Sequence, residues 1–327
     1  MSGGENGADP KLPRMAQALD RDEVAQHLAP ILAKAGGWAS VPEVLEARLV
    51  RHKPGRRCVI YYRLAADPPV GVYAKMRAKG ADLQTQELLE ELLRDGLDHA
   101  MGSPVGVPRP LGCFEAWNMT FQEASPGRLV NEILEESGAE RGMGQVAEAI
   151  FALHRSGVSP KRQHGVADEL KILRTRLDDA AARAPHWGAR IERVRDGCTA
   201  LANGLPQATP AGLHRDFYPD QVIVDGPRTT LLDLDLFAAG NPALDVGNFS
   251  AHLAEMALRE RGDMQRYSAL EGAFEERYHE LSDETDPASI RGYRLLTLAR
   301  HIQLSMTIPG RAETSEAILD ACEAELG

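Results

Sequence analysis

Residues 213–226, LHRDFYPDQVIVDG, set a basic, acidic and aromatic cluster directly against a run of β-branched residues, and residues 230–245, TLLDLDLFAAGNPALD, add a second acidic cluster. QVIVDG and TLLDL read as two short strands joined by the turn Asp225-Gly226-Pro227. Asp216 and Asp233 then fall toward the same end of one apolar hairpin. Two carboxylates held close together repel, which raises one pKa unless a cation lies between them. A divalent metal resolves that conflict, and a hard-oxygen site suits Mg2+, which keeps waters and substrate phosphates in its shell. The paired carboxylates therefore lead to a nucleotide.

Working outward, residues 1–19 have the composition of a flexible tail, and Asp20 stands ready to cap a helix from about Arg21 to Ala35 that Gly36-Gly37 stops. Residues 44–66 read as two strands about the turn Lys53-Pro54-Gly55, and VGVYAKM (70–76) as a third. Residues 81–100 carry leucines at helical spacing behind Asp82, and LGCFEAWNMTFQEA (111–124) returns to extended structure. Ser125-Pro126-Gly127 reads as a linker, beyond which 3.6-residue periodicity dominates except at the hairpin. The expected division is a tail and helix over 1–40, a small β-rich lobe over 41–124 and a larger α-rich lobe over 125–327.

Composition narrows the function. A chain of 327 residues exceeds the usual limit of one hydrophobic core, which predicts two lobes. Lys and Arg total 37 against 48 Asp and Glu, and the net charge of -11 disfavours nucleic acid as a partner. Cys58, Cys113, Cys198 and Cys322 are scattered without a CxxC pair, as reduced thiols of a cytoplasmic protein would be. The polar start MSGGENGADP lacks an apolar signal segment, and no run approaches the roughly 20 apolar residues of a membrane span. No GxxxxGK[ST], HExxH or GxSxG pattern is present, which removes several other enzyme classes.

Residues 214–216 read His-Arg-Asp, an amide follows at Gln221, and Asp233 lies on the next strand. This pattern resembles the H-x-D-x-x-x-x-N catalytic loop and metal-binding Asp of protein-kinase-like phosphotransferases. Asp233-Leu234-Asp235, then Gly240-Asn241-Pro242 and Asp245, resembles the small-molecule branch, the aminoglycoside phosphotransferase and choline kinase family, as does AEAIFALHRSG (147–157) with its Leu153-His154. The resemblance runs from about Val44 to the C-terminal helices and is densest over 213–249.

The resemblance implies an α+β, bilobal protein-kinase-like fold with its active site in the cleft between the lobes. It also implies Mg2+- and ATP- or GTP-dependent transfer of phosphate to a hydroxyl of a small molecule. That acceptor is an antibiotic such as an aminoglycoside, or a metabolite such as choline, a sugar or a nucleoside. Asp216 would orient the acceptor hydroxyl and take its proton, Gln221 and Asp233 would bind the metal, and Asp235 would be a second acidic position. His214 would hold the loop backbone and Asp245 would hydrogen-bond that loop from the next helix. Lys75 would pair with the α/β-phosphates, with Glu87, Glu90 and Glu91 as candidate partners, and Phe121, Gln122, Glu123 and Ala124 would form the hinge that meets the adenine.

Three departures stand out. No G-x-G-x-x-G loop precedes Lys75; HKPGRRCV (52–59) has a single glycine, so Arg56 or Arg57 would supply phosphate donors. Gln221 replaces Asn and adds one methylene, and Asn241 replaces an Asp and removes a charge. The missing glycine loop and Gln221 keep a nucleotide-binding pseudokinase as the alternative. A protein kinase is disfavoured, because no D-F-G or A-P-E segment follows Asp233. His154 ends an amphipathic helix, where a packed core histidine or a C-terminal charge is the plain reading.

Overall fold

A computed structural model describes residues 9–327, which form two compact units. The first comprises residues 9–96 with Val107–Pro126, and the second Leu97–Gly106 with Gly127–Gly327. The part of the expected tail before Asp9 lies outside the described residues.

The first unit opens with α1 (Met15–Leu19), α2 (Arg21–His27) and α3 (Ala29–Gly36). The segment 9–19 is not tail-like. Leu12, Met15 and Ala18 are buried in the core of this unit, so the apolar surface of Val24, Leu28 and Leu32 is not left bare. The one helix expected from Arg21 to Ala35 is two. Asp20 does cap α2, its Oδ1 accepting from the amides of Asp22 and Glu23 at 2.9 and 3.1 Å. Pro30, in the first turn of α3, cannot donate to a preceding carbonyl, so the chain restarts there.

Strands β1 (Val44–Lys53), β2 (Arg57–Leu64) and β3 (Val70–Arg77) precede α4 (Leu83–Arg94). The chain then enters the second unit with β4 (Val105–Gly106) and returns as β5 (Pro110–Phe114) and β6 (Met119–Glu123). The five-stranded sheet runs β1-β2-β3-β6-β5, with every neighbouring pair antiparallel. Strict alternation decides which face is buried: Cys58, Ile60, Tyr62 and Leu64 on β2, and Val72, Ala74 and Met76 on β3, point into the core. Lys75 therefore stands on the opposite face with Tyr73 and Arg77, in register with Val59 and Thr120.

The second unit adds β7 (Arg128–Leu129), α5 (Ala139–His154), α6 (Val166–Arg183), α7 (Gly188–Asn203), β8 (Ala211–Leu213), β9 (Val222–Asp225), β10 (Arg228–Leu231) and β11 (Ala238–Gly240). It closes with α8 (Ala243–Arg261), α9 (Ser268–Leu281), α10 (Pro287–Thr307) and α11 (Ser315–Leu326). The hairpin expected from the sequence is β9–β10, turning at Gly226 with φ +56°. It is the centre of a four-stranded sheet, β4-β10-β9-β7, because β4 pairs in parallel with β10 and β7 antiparallel with β9. These two short flanking strands carry too little pattern to be read from sequence.

The β1–β2 turn is held from outside itself. Asp9 Oδ2 accepts from the Gly55 amide at 2.8 Å and from His52 Nε2 at 2.9 Å. The Gly55 amide, then His52, hold the Asp9 carboxyl below its ordinary value. This stabilisation is complete above the ordinary carboxylate pKa and fades as pH falls through the lowered one. Asp9→Asn is expected to speed hydrogen exchange of the Gly55 amide about tenfold at neutral pH, read by NMR. Unchanged exchange would show that the turn holds itself.

Candidate active site

Strand β8 ends at Leu213, and the next two residues meet a buried carboxylate. The amides of His214 and Arg215 donate to Asp245 Oδ2 and Oδ1, each at 2.7 Å. Asp245 sits in the first turn of α8 and accepts a third bond, from His154 Nε2 at 3.0 Å. His154 Nδ1 lies 2.7 Å from the Tyr278 hydroxyl. A fully buried carboxylate is tolerable only when its lone pairs are filled, and here three donors fill them. His154 is thus a packed core histidine, and its ring orients Asp245.

The loop continues in an uncommon conformation. Arg215 has φ +72°, a left-handed value that a residue with a side chain adopts only when its surroundings hold it there. Its carbonyl accepts from Asn248 Nδ2 at 3.0 Å, one turn along α8 from Asp245. Asn248 Oδ1 accepts in turn from Thr297 Oγ1 and Arg300 Nη2, both at 2.8 Å. Arg300 Nη1 donates to Glu169 Oε2 at 2.8 Å, and Glu169 Oε1 lies 2.6 Å from His164 Nε2. Burial would raise the Glu169 carboxyl, but Arg300, then His164 and Arg215, hold it below its ordinary value. This chain from α6 through α10 to the loop follows no sequence motif; its only trace there is polar residues at helix positions otherwise lined with Leu and Ala.

His214 Nε2 donates to the Leu232 carbonyl at 2.7 Å, and the Leu232 amide donates to the Gln221 carbonyl at 2.8 Å. These bonds carry the β9–β10 ladder past its last register pair, Val222 with Leu231, to the residues on either side. Gln221 and Asp233 therefore flank the open end of the hairpin. Asp233 adopts φ +56° and ψ +51°, a second left-handed residue without a glycine's freedom. Phe217, packed on Phe249 at 5.1 Å between ring centroids, anchors the loop in the core, with half-buried Asp216 and Tyr218 on either side. Asp235 follows in a single helical turn, its carbonyl accepting from Arg162 at 3.3 Å. Asn241 Oδ1 accepts from the Ala243 amide at 3.0 Å, so it still serves the start of α8 despite the lost charge.

Among the described residues, no group of three or more His, Cys, Asp or Glu side chains could hold a metal ion. Gln221 and Asp233 offer one amide and one carboxylate oxygen. That donor set fits an Mg2+ that keeps waters and phosphates in the rest of its shell.

In the first unit, Lys75 is half-buried on β3, while Glu87 and Glu90 on α4 are exposed and Glu91 is half-buried. Arg77 Nη2 pairs with Asp82 at 3.0 Å, and Asp82 caps α4 through the Thr85 amide. Arg57 opens β2, opposite Lys53 and Arg77. Phe121, Gln122 and Glu123 lie on β6, and their backbone is largely engaged within the sheet. The Phe121 carbonyl accepts from Gln86 Nε2 at 3.2 Å, and the amides of Glu123 and Ala124 donate to the carbonyls of Arg109 and Gly71. Gln86, which ties α4 to β6, gives no sign of that role in the sequence.

Residues 84–293 match the profile of the phosphotransferase enzyme family. The chain belongs to that family. No curated protein matches the sequence. Among solved structures, it is similar to a choline/ethanolamine kinase family protein from Mesorhizobium loti, with TM-score 0.59 and 17% identity over 93% of each chain. Glucosamine kinase in complex with glucosamine, ADP and inorganic phosphate gives TM-score 0.58 and 17% identity, over 94% of this chain and 85% of that one. A thermostable mutant of aminoglycoside phosphotransferase APH(4)-Ia, in ternary complex with AMP-PNP and hygromycin B, gives TM-score 0.56 and 16% identity, over 91% and 97%. At such identities the likeness establishes the protein-kinase-like α+β fold.

Removing the Asp245 carboxylate leaves two amides and an imidazole buried without an acceptor. Asp245→Ala is expected to lower unfolding stability by about 3–5 kcal/mol in urea titrations. A loss under about 1 kcal/mol would mean that the loop is held by other contacts.

Proposed function

We propose that this phosphotransferase moves the γ-phosphoryl group of a nucleoside triphosphate, ATP or GTP, onto a hydroxyl of a small molecule. The Asp245-clamped loop carries the reading. It holds Asp216 beside a rigid backbone, and phosphoryl transfer depends on positioning more than on basicity. In the proposed step the acceptor oxygen bonds to the γ-phosphorus, the bond to the β-phosphate oxygen breaks, and the hydroxyl proton passes to Asp216. The products are a phosphate ester and a nucleoside diphosphate.

Asp233 and Gln221 are the residues that would hold Mg2+, which when bound neutralises charge on the β/γ-phosphates. Lys75 is assigned to the α/β-phosphates and Arg57 to a supporting contact. The AMP-PNP and ADP complexes of the structurally similar enzymes support a nucleotide donor. No helix among the described residues is long and apolar enough to cross a membrane, and the four cysteines are unpaired thiols. Both fit a protein that works in the cytoplasm, where nucleoside triphosphates are made. Gln221 and the single glycine of the β1–β2 turn favour one alternative, a pseudokinase that binds nucleotide without transferring phosphate.

Two variants divide the proposed roles. Asp216→Asn is expected to leave AMP-PNP affinity with Mg2+ within a few-fold of wild type while kcat falls roughly 10²–10⁴-fold, the scale of a positioned base. Asp233→Asn is expected to impair both metal-dependent nucleotide binding and turnover. Calorimetry beside a phosphoryl-transfer assay measures both quantities. Equal loss of nucleotide binding in the two variants contradicts the division, and tight binding with no transfer by the wild type moves the assignment to the pseudokinase.

A further inference from the structure

Helices α8 and α10 pack along their length, a setting that ordinarily selects Leu and Ala. Here the contact carries a polar seam. On α8, Asn248, His252, Glu255 and Arg259 continue the row that begins at Asp245, at alternating spacings of three and four residues. On α10 the facing groups are Thr297, Arg300, His301 and Ser305. Asn248 bonds Thr297, and further along the His252 and His301 rings meet edge to face with centroids 4.6 Å apart. Tyr218, two residues beyond Asp216, stacks on His252 at 4.9 Å and 23°. The seam thus starts at the loop clamp and meets, through Tyr218, the loop that carries the residue assigned to the acceptor hydroxyl.

The charged members are already matched. Arg300 pairs with Glu169 at 2.8 Å, and Glu255 lies 3.4 Å from both Arg259 and Arg311. Apart from the Nε of ion-paired Arg259, which is buried without a hydrogen-bond partner, what is left over is neutral hydrogen-bonding capacity. His301 is only 3% exposed and Ser305 fully buried, yet His301 Nδ1 and Ser305 Oγ have no hydrogen-bond partner among the described residues. A buried polar atom without a partner is costly, and such atoms mark places where a ligand or water completes the site. Burial, reinforced by nearby arginines, holds the His252 imidazole down to about 3 and that of His301 well below its ordinary value. At neutral pH both rings are therefore uncharged, each with one donor and one acceptor.

We infer that the Tyr218–His252–His301 seam binds the phosphate acceptor, and that this acceptor is an uncharged polyhydroxyl molecule of the sugar, polyol or nucleoside class. The inference rests on the phosphotransferase reading above and sharpens it. A polycation or an anion would find no unmatched counter-charge along the seam, whereas hydroxyl groups match its unfilled donors and acceptors. Tyr218 supplies an aromatic face of the kind that packs on the apolar side of a sugar or base.

The test separates this site from the transfer reaction. With AMP-PNP and Mg2+ present, imidazole resonances of wild-type protein labelled at histidine are followed while D-glucose, D-ribose, myo-inositol, adenosine, gluconate, choline and hygromycin B are titrated in turn. Saturable shifts at His252 and His301 are expected with at least one uncharged compound and with none of the charged ones. A phosphoryl-transfer assay on the same panel is expected to pick the same compound. His301→Leu should then raise KM for it roughly tenfold with kcat within about threefold, and His301→Asn should recover part of the loss. Nucleotide affinity should stay unchanged in both variants. Strongest binding by an ionic compound, or no shift with any compound, overturns the seam proposal whatever the assay shows. Shifts without transfer leave the seam standing and count against the phosphotransferase reading instead.

Discussion

One buried carboxylate holds the second unit's central loop in place. Asp245 is intolerable in the interior alone, and the amides of His214 and Arg215 are equally intolerable without an acceptor. Each resolves the other, and His154 supplies a third donor to the carboxylate. This mutual satisfaction fixes two consecutive amides relative to a helix, which is why Arg215 can be kept at positive φ. A loop so fixed needs no further ordering around Asp216, and the transfer step proposed above would draw on that pre-organisation.

Much of this is legible in the sequence because the clamp and hairpin are local. His214, Asp216, Gln221, Asp233 and Asp245 lie within a 32-residue window, and the hairpin brings its ends together through a turn that its glycine specifies. The sheet of the first unit is legible for a related reason: alternation on β2 and β3 fixes which side chains are buried, and so which face bears Lys75. What stays hidden depends on long separations. Asp9 reaches Gly55, Gln86 reaches Phe121, and Glu169 reaches Arg300 across 131 residues, and no spacing rule links such pairs. The break between α2 and α3 is obscured for a different reason. Pro30 sits inside a periodic pattern that otherwise reads as one helix, and the pattern masks the restart that the proline imposes.

The interior of the helical unit also shows how an acidic protein arranges its basic residues. Acidic residues outnumber basic ones, 48 to 37, yet Arg215, Arg294 and Arg300 are drawn inward to meet Glu169, Glu271 and backbone carbonyls. Arg294 donates to Glu271 at 2.5 Å and to Glu325 at 2.6 Å, tying α9, α10 and α11 together. A guanidinium suits this work because its planar fork can serve two acceptors on different helices at once. The helices are thereby fixed in rotation about their axes as well as in spacing, which packing of Leu and Ala alone would specify less sharply.

The excursion of residues 97–106 bears on how such a chain can be inherited and rearranged. Neither unit is a continuous stretch: the chain crosses between them after Gly96, after Gly106 and after Pro126. Strand β4 and His99, whose ring bonds Thr230, belong by contact to the second unit although the sequence embeds them in the first. A single recombination point near residue 126 would give one partner an orphaned strand and the other a bare β10 edge. The units are therefore not exchangeable modules, and a lineage that acquires a new first unit must bring the β4 segment with it or supply a substitute.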